Sequence, residues 1–310
     1  MPMWAWILFY ALVIVMLYAD LKLFGRKGQH EVSISEALKM TAVWIIVSLI
    51  FCGGIWFYEG SGKAMEFLAG YLIEKSLSMD NLFVFLMLFS FFGVQRKYQH
   101  EVLFWGIFGA LILRSIFIFA GAAMVQRFEW ILGIFGVFLI YTGIKMFSHK
   151  DDESVDPSKN IFVKLFKKFF PVTDQMYEDK FFIVENGKRL ATPLFIALLV
   201  IETTDVAFAV DSIPAVFSVS RDPFIVLTSN IFAILGLRAL YFALAAIAQY
   251  FAYLKYGLGI ILSFVGIKML LEVIWGIDVP TSISLLIIFG ILVLSMLASY
   301  VATLYSRKRQ

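Results

Sequence analysis

Thiols, imidazoles and charges are scarce in this chain, and each scarcity removes a class of function. A single cysteine, Cys52, sits inside an apolar run, which excludes a disulfide within the chain and any cysteine cluster for a metal. Three histidines, His30, His100 and His149, all fall in polar stretches between apolar runs, so a zinc or copper site of nitrogen and sulfur ligands is not expected in the apolar part. Only 16% of the 310 residues are charged, against 61% hydrophobic, and the mean hydropathy is +0.86; an ordinary soluble domain carries about 25% charged residues. The chain shows no nucleophile and base pair, phosphate loop or cofactor motif, so an enzyme is not expected, nor is a permanently bound cofactor. A net charge of +3 says little, because in a membrane protein the sidedness of charge matters more than its sum, and no nucleic-acid partner is expected.

What is present is apolar sequence in lengths that cross a bilayer. Stretches of 18 or more apolar residues recur, and the alternating ten-residue pattern of a transmembrane barrel does not. The expected class is an all-α polytopic membrane protein whose first partner is the lipid bilayer. About nine spans can be read, near 3–19, 38–58, 65–93, 102–123, 130–148, 193–219, 222–249, 254–275 and 281–305. The start, MPMWAWILFY, lacks the basic segment and small-residue cleavage site of a signal peptide, so an uncleaved helix is expected. The organisation is then 1–64, two helices; 65–148, a three-helix unit; 149–191, a polar loop; 192–275, a second three-helix unit; and 276–310, a last helix with a basic tail.

Lysines and arginines give the orientation. Loops after odd-numbered spans, with the C-terminal tail, carry 18 of the 26, loops after even-numbered spans carry 3, and five (Lys75, Arg114, Lys145, Arg238, Lys268) lie within spans. The positive-inside rule puts the N-terminus outside and the C-terminus in the cytoplasm, in a bacterial cytoplasmic (inner) membrane. Within the loop, Asn160 to Val172 sets Ile161, Phe162, Leu165, Phe166, Phe169 and Phe170 on one helical side and three lysines on the other, the pattern of an interfacial helix. Asn186-Gly187 between short runs signals a hairpin.

A nine-residue pattern occurs twice. Glu74 to Leu82 reads EKSLSMDNL and Asp205 to Ile213 reads DVAFAVDSI. Arg114 is matched by Arg238, and GIKM at Gly143 to Met146 recurs at Gly266 to Met269. Spans 3–5 and 6–8 are therefore expected to be copies of one unit. Three is odd, so the second copy enters from the opposite side, an inverted repeat about an axis in the membrane plane. Such repeats hold an ion or small solute at the midplane. Here the midplane offers Glu74, Asp80 and Asn81 from one copy and Glu202, Asp205, Asp211 and Ser212 from the other, with Asn230 as a further oxygen donor.

Oxygen ligands without thiolate or imidazole suit hard divalent cations. Glu202 and Asp205 share a helix face. Glu74 and Asp80, six apart, point about 120° away from each other on a regular helix, so a local break is expected, with Pro214 as its counterpart in the second copy. The competing account is that acids and bases within the spans pair with one another, since ten unpaired charges would cost on the order of 30 kcal/mol. Arg114 and Arg238 suit that role as bidentate partners, Lys75 is a candidate counter-ion, and Lys145 and Lys268 are expected to reach toward opposite surfaces.

In EKSLSMDNLFVF at Glu74 to Phe85, IETTDVAFAVDSIPAVF at Ile201 to Phe217 and RDPFIVLTSNIFAILGLRALYF at Arg221 to Phe242, the chain resembles the TerC family of integral membrane proteins, its longer Alx-type members in particular. The resemblance spans nearly the whole chain. It implies nine transmembrane helices of the LysE-like transporter group and export of Mn²⁺, with Glu74, Asp80, Glu202, Asp205 and Asp211 as the functional acids. It also carries associations with tellurium resistance, alkaline response and metallation of exported proteins. The expectation is a secondary transporter for a divalent cation, Mn²⁺ first, exchanged for protons. A Ca²⁺/H⁺ exchanger is the near alternative, and a membrane assembly or metallation factor working with secretion machinery is the alternative of another class.

Overall fold

The computed structural model describes residues 2–25, 34–128, 130–148, 160–247 apart from 174, 176, 178, 179 and 186, and 254–307; at 23–25, Asp80, Phe83, Ser148, 246, 247, 254, 255, Tyr300 and 303–307 the description covers the backbone alone. Eleven helices and one hairpin follow in order: α1 (Met3–Gly25), α2 (Ile34–Glu59), α3 (Ser61–Phe91), α4 (Arg96–Arg127), α5 (Ile131–Ser148), α6 (Ile161–Phe169), β1 (Phe182–Glu185), β2 (Lys188–Ala191), α7 (Pro193–Phe217), α8 (Pro223–Leu235), α9 (Leu237–Ile247), α10 (Leu254–Trp275) and α11 (Thr281–Arg307). By length and composition α1, α2, α4, α7, α10 and α11 can each cross a membrane, and α8 with α9, bent by 41°, makes a seventh crossing if the pair spans as one. The chain is an all-α polytopic membrane protein. Two of the nine expected spans stand apart from that count. α3 is long but carries Lys63, Glu66, Glu74, Lys75 and Asp80, and α5 is short.

Helix ends follow from local chemistry. Asp222 caps α8, its Oδ1 accepting from the Phe224 amide at 2.9 Å, and Pro223 occupies the first turn, where no backbone donor is needed. Pro193 plays the same part in α7. Gly93, at φ 63°, closes α3, and the Val94 amide returns to the Phe89 carbonyl at 2.9 Å. The expected hairpin is present, with Glu185 opposite Lys188 and Gly187 at φ 74°.

Two packing features set the bundle. One is an aromatic cluster, Phe9, Phe51, Phe67 and Phe232, that ties α1, α2 and α3 to α8, with Phe51 and Phe232 ring centres 4.6 Å apart. The other is a glycine seam between α5 and α10. A Cβ added at Gly136 would lie 2.9 Å from the Gly266 carbonyl, and one at Gly259 would lie 2.8 Å from the Gly143 carbonyl. Only glycine lets the two backbones approach so closely. The register is antiparallel and maps onto itself when the copies are exchanged. Gly136 and Gly259, like Gly143 and Gly266, stand at matching places relative to GIKM. Their neighbours match as well: Leu270 beside Gly136 answers to Phe147 beside Gly259, and Ser263 beside Gly143 answers to Ile140 beside Gly266.

Candidate functional site

The Arg114 side chain, from the middle of α4, is fully buried and is the centre on which the interior charges assemble. Its Nε donates to Asp205 Oδ2 at 3.0 Å and its Nη2 to Asp205 Oδ1 at 2.8 Å, a planar two-bond clamp on a residue of α7. Its Nη1 donates to Glu74 Oε1 on α3. The other Glu74 oxygen accepts from Asn230 Nδ2 on α8 at 2.8 Å, and Ser78, one turn along α3, donates to Glu74 Oε1 at 3.3 Å. Ser212 Oγ stands 3.5 Å from Arg114 Nη1, at the limit of a hydrogen bond. Side chains of α3 and α7 thus converge on the α4 guanidinium, with α8 joined through Glu74, and the first acids of the two repeated patterns, Glu74 and Asp205, meet there.

The other expected residues take separate places. Glu202, one turn before Asp205, turns toward α4, where its carboxylate fills the space over Gly109 that a Cβ would need; its Oε2 is buried without a hydrogen-bond partner among the described residues. Asp211 is half-buried and accepts from Thr142 Oγ1 of α5 at 3.3 Å. Asn81 is buried. Asp80 is on α3, and its side chain lies outside the described residues. The expected break is absent at both patterns: α3 is helical throughout Glu74 to Leu82, and α7 continues through Pro214. The chain bends instead at Gly236, between α8 and α9.

That bend gives Lys75 its place. Its ammonium points away from Glu74 and donates to the Ala233 carbonyl at 3.1 Å, one of the last four carbonyls of α8. A helix end leaves these acceptors short of partners and slightly negative, so a buried cation is well placed there. Lys75 serves as a helix cap and is not directed at the acids.

Sequence reasoning missed two partners. Arg238, the repeat counterpart of Arg114, pairs with Asp20 of α1, Nη1 to Oδ2 at 3.2 Å, and faces the Phe104 ring. Asp20 lies one residue past the span read near 3–19, and α1 extends to include it; the signal is an acid directly at the end of an apolar run. Gln99 accepts from Tyr241 Oη at 2.9 Å. Lys268, expected to reach a surface, is buried, with Asp278, Glu272 and Glu66 as its electrostatic neighbours.

The loop helix α6 lies against α7. The Phe166 ring packs tilted against Phe195 with ring centres 5.1 Å apart, and Asn160, which caps α6, donates through Nδ2 to Thr203 Oγ1 at 2.9 Å, next to Glu202 in sequence. Ile161, Phe162, Leu165 and Phe169 remain exposed. Among the described residues, no three His, Cys, Asp or Glu side chains stand close enough to hold one metal ion.

A helical bundle with apolar outer faces and an arginine-centred carboxylate cluster inside defines an integral membrane protein with a polar core. The chain belongs to the family described as "Integral membrane protein TerC family", whose model matches residues 59–309. It is similar to an "Uncharacterized membrane protein" of Myxococcus xanthus, 49% identical over 96% of this chain and 92% of that one. It is also similar to the "Putative membrane-bound redox modulator Alx" of Salmonella typhi, 48% identical over 93% of this chain and 91% of the relative, and to the protein of the same name in Escherichia coli K12, 48% identical over 93% and 92%. No solved structure matches the chain.

Proposed function

We propose that this protein is a secondary transporter that exports a divalent metal cation, Mn²⁺ ahead of Ca²⁺, by alternating access, with protons moving the other way. The observation that carries the reading is the meeting of Glu74 and Asp205, matched acids of two repeated patterns, on one buried guanidinium. A guanidinium between two carboxylates holds the place of a cation. In this reading Arg114 neutralises the empty site, and the arriving metal takes over Glu74 and Asp205 while Glu202, whose Oε2 has no hydrogen-bond partner among the described residues, joins them. In this reading Asp80, about 9 Å beyond Glu74 along α3, and Asp211, about 9 Å beyond Asp205 along the oppositely running α7, are two separate further ligands for the ion. Carboxylates packed this closely resist joint ionisation, so exchange of metal for protons follows from their chemistry. The metal is cargo, and no resident cofactor is required.

The architecture that goes with this is nine crossings, counting α3, α5 and the joined α8–α9, with α3–α5 and α7–α10 as the inverted repeat. The self-matching glycine seam of α5 and α10 supports it. By the charge count of the loops, the N-terminus faces outward and the C-terminus the cytoplasm of a bacterial inner membrane.

Proteoliposome flux tests the reading. Purified wild type should take up Mn²⁺, Ca²⁺ and Mg²⁺ should compete unequally, and Asp80→Asn and Asp211→Asn should each bring uptake near that of empty vesicles. Folded protein with no flux above empty vesicles would sink the transporter.

A second reading, a metallation or assembly factor docking secretion machinery, is favoured by one observation: the hairpin presents Val184, 75% exposed, as an apolar side chain outside the bundle. Val184→Asp would then abolish function in cells and leave flux unchanged. The name carried by the relatives points to redox. With Cys52 alone, a thiol–disulfide couple cannot form within this chain, so a redox effect would run through the ion that it moves.

A further inference from the structure

A lateral crevice between α1 and α2, floored in part by Phe224 of α8, takes no part in the carboxylate cluster. Its volume is about 590 Å³, within the range of about 300–1,000 Å³ of small-molecule sites. Phe9, Phe51 and Phe224 form its floor, and at Gly54 on its wall an added Cβ would meet nothing within 4 Å. One end alone is polar. There Trp4 and Tyr58 meet edge to face at 6.0 Å, and Glu59 is exposed beside them.

Three observations identify the occupant. Both walls are helices apolar enough to cross a bilayer, so the crevice opens sideways onto lipid, and an apolar hollow of this kind does not hold water. Tryptophan and tyrosine mark the headgroup level, which puts the mouth at the membrane boundary. From Glu59 inward to Ile50, the crevice follows α2 for nine residues, about 14 Å, close to half of a hydrocarbon core of about 30 Å. That is the depth of one leaflet. The charge at the mouth selects the headgroup: the nearest cation along the chain, Lys63, is engaged with Glu66 at 2.8 Å, which leaves the Glu59 carboxylate facing the headgroups.

We propose that the α1–α2 crevice binds one acyl chain of a phospholipid with an ammonium headgroup, of the phosphatidylethanolamine type, whose ammonium faces Glu59. The site is independent of the transport reading, because its readout is lipid retention and not flux.

Native mass spectrometry of the full chain, purified from equal mixtures of phosphatidylethanolamine and phosphatidylglycerol with matched chains, tests it. The wild type should retain one phosphatidylethanolamine with about fivefold preference, the size of one charge contact at a membrane surface. Gly54→Trp, which fills the crevice, should lose that lipid while keeping its melting temperature, and the milder Gly54→Leu serves if the tryptophan variant does not fold. Glu59→Gln should keep a lipid and lose the preference. Retention unchanged in the filled variants would overturn the proposal. So would disulfide-linked dimers from Gly54→Cys in a Cys52→Ala background, which would show that a second copy of the chain fills the crevice.

Discussion

Asp205 clamps Arg114 with both carboxylate oxygens, at 3.0 Å from Nε and 2.8 Å from Nη2, and leaves Nη1 for Glu74. The clamp joins α7 to α4 and the Glu74 contact joins α3 to both, so one side chain fixes three helices.

Loss of Arg114 should therefore be costly. Arg114→Ala leaves two buried carboxylates without a counter-charge, and removal of one partner of a buried ion pair costs about 3–5 kcal/mol. Arg114→Lys keeps the charge but cannot hold Asp205 with two bonds and Glu74 with a third, so it should fall between the two. Glu74→Gln combined with Asp205→Asn should recover much of the stability of Arg114→Ala. Equilibrium unfolding in mixed detergent micelles reads all three; an Arg114→Ala protein as stable as wild type would contradict the clamp.

Glu202 owes its position to the missing side chain at Gly109. Gly109→Ala puts a methyl group where the carboxylate now lies, and overpacking of this kind costs about 1–3 kcal/mol. Removing the carboxylate should remove the conflict. In a double-mutant cycle, Gly109→Ala should cost clearly less in a Glu202→Ala background, and equal costs in both backgrounds would show that the two residues do not touch.

Lys75 should behave as a cap. Lys75→Met removes the donor to the Ala233 carbonyl and should destabilise by up to about 2 kcal/mol, the upper range for a cation at a partly buried helix end. Hydrogen exchange should rise in α8 and α9 near Gly236 and stay unchanged around Glu74. Protection lost at Glu74 first would assign Lys75 to the carboxylates instead.

The glycine seam makes a prediction about pairs. Gly136→Ala and Gly259→Ala occupy matched surroundings, so their thermal shifts should agree, each corresponding to about 1–3 kcal/mol. Gly143→Ala and Gly266→Ala form the second pair. A large difference within either pair, read from melting temperatures, would mean that the local symmetry of α5 and α10 has no energetic counterpart.

Much of this was legible from the chain by itself, because hydrophobic length and periodicity do not depend on partners. The apolar runs determined a helical membrane protein, and the hairpin at Gly187 was set by local turn chemistry. The twofold occurrence of the acidic pattern picked out Glu74 and Asp205, and Arg114 was recognised as a partner for such acids, since a charge at membrane depth must be compensated. Tertiary structure alone decided who meets whom. Adjacent residues on a helix point about 100° apart, so only the packing of α3 against α7 and α8 sent Glu74 to Arg114 and Lys75 to the carbonyl end of α8. The same holds for the two arginines. They match in sequence, yet one gathers acids from α3 and α7 while the other takes Asp20 from α1, a helix outside the repeated units. A repeat in sequence sets equivalent side chains at equivalent depths, but the partner each one finds depends on which helix the fold lays beside it.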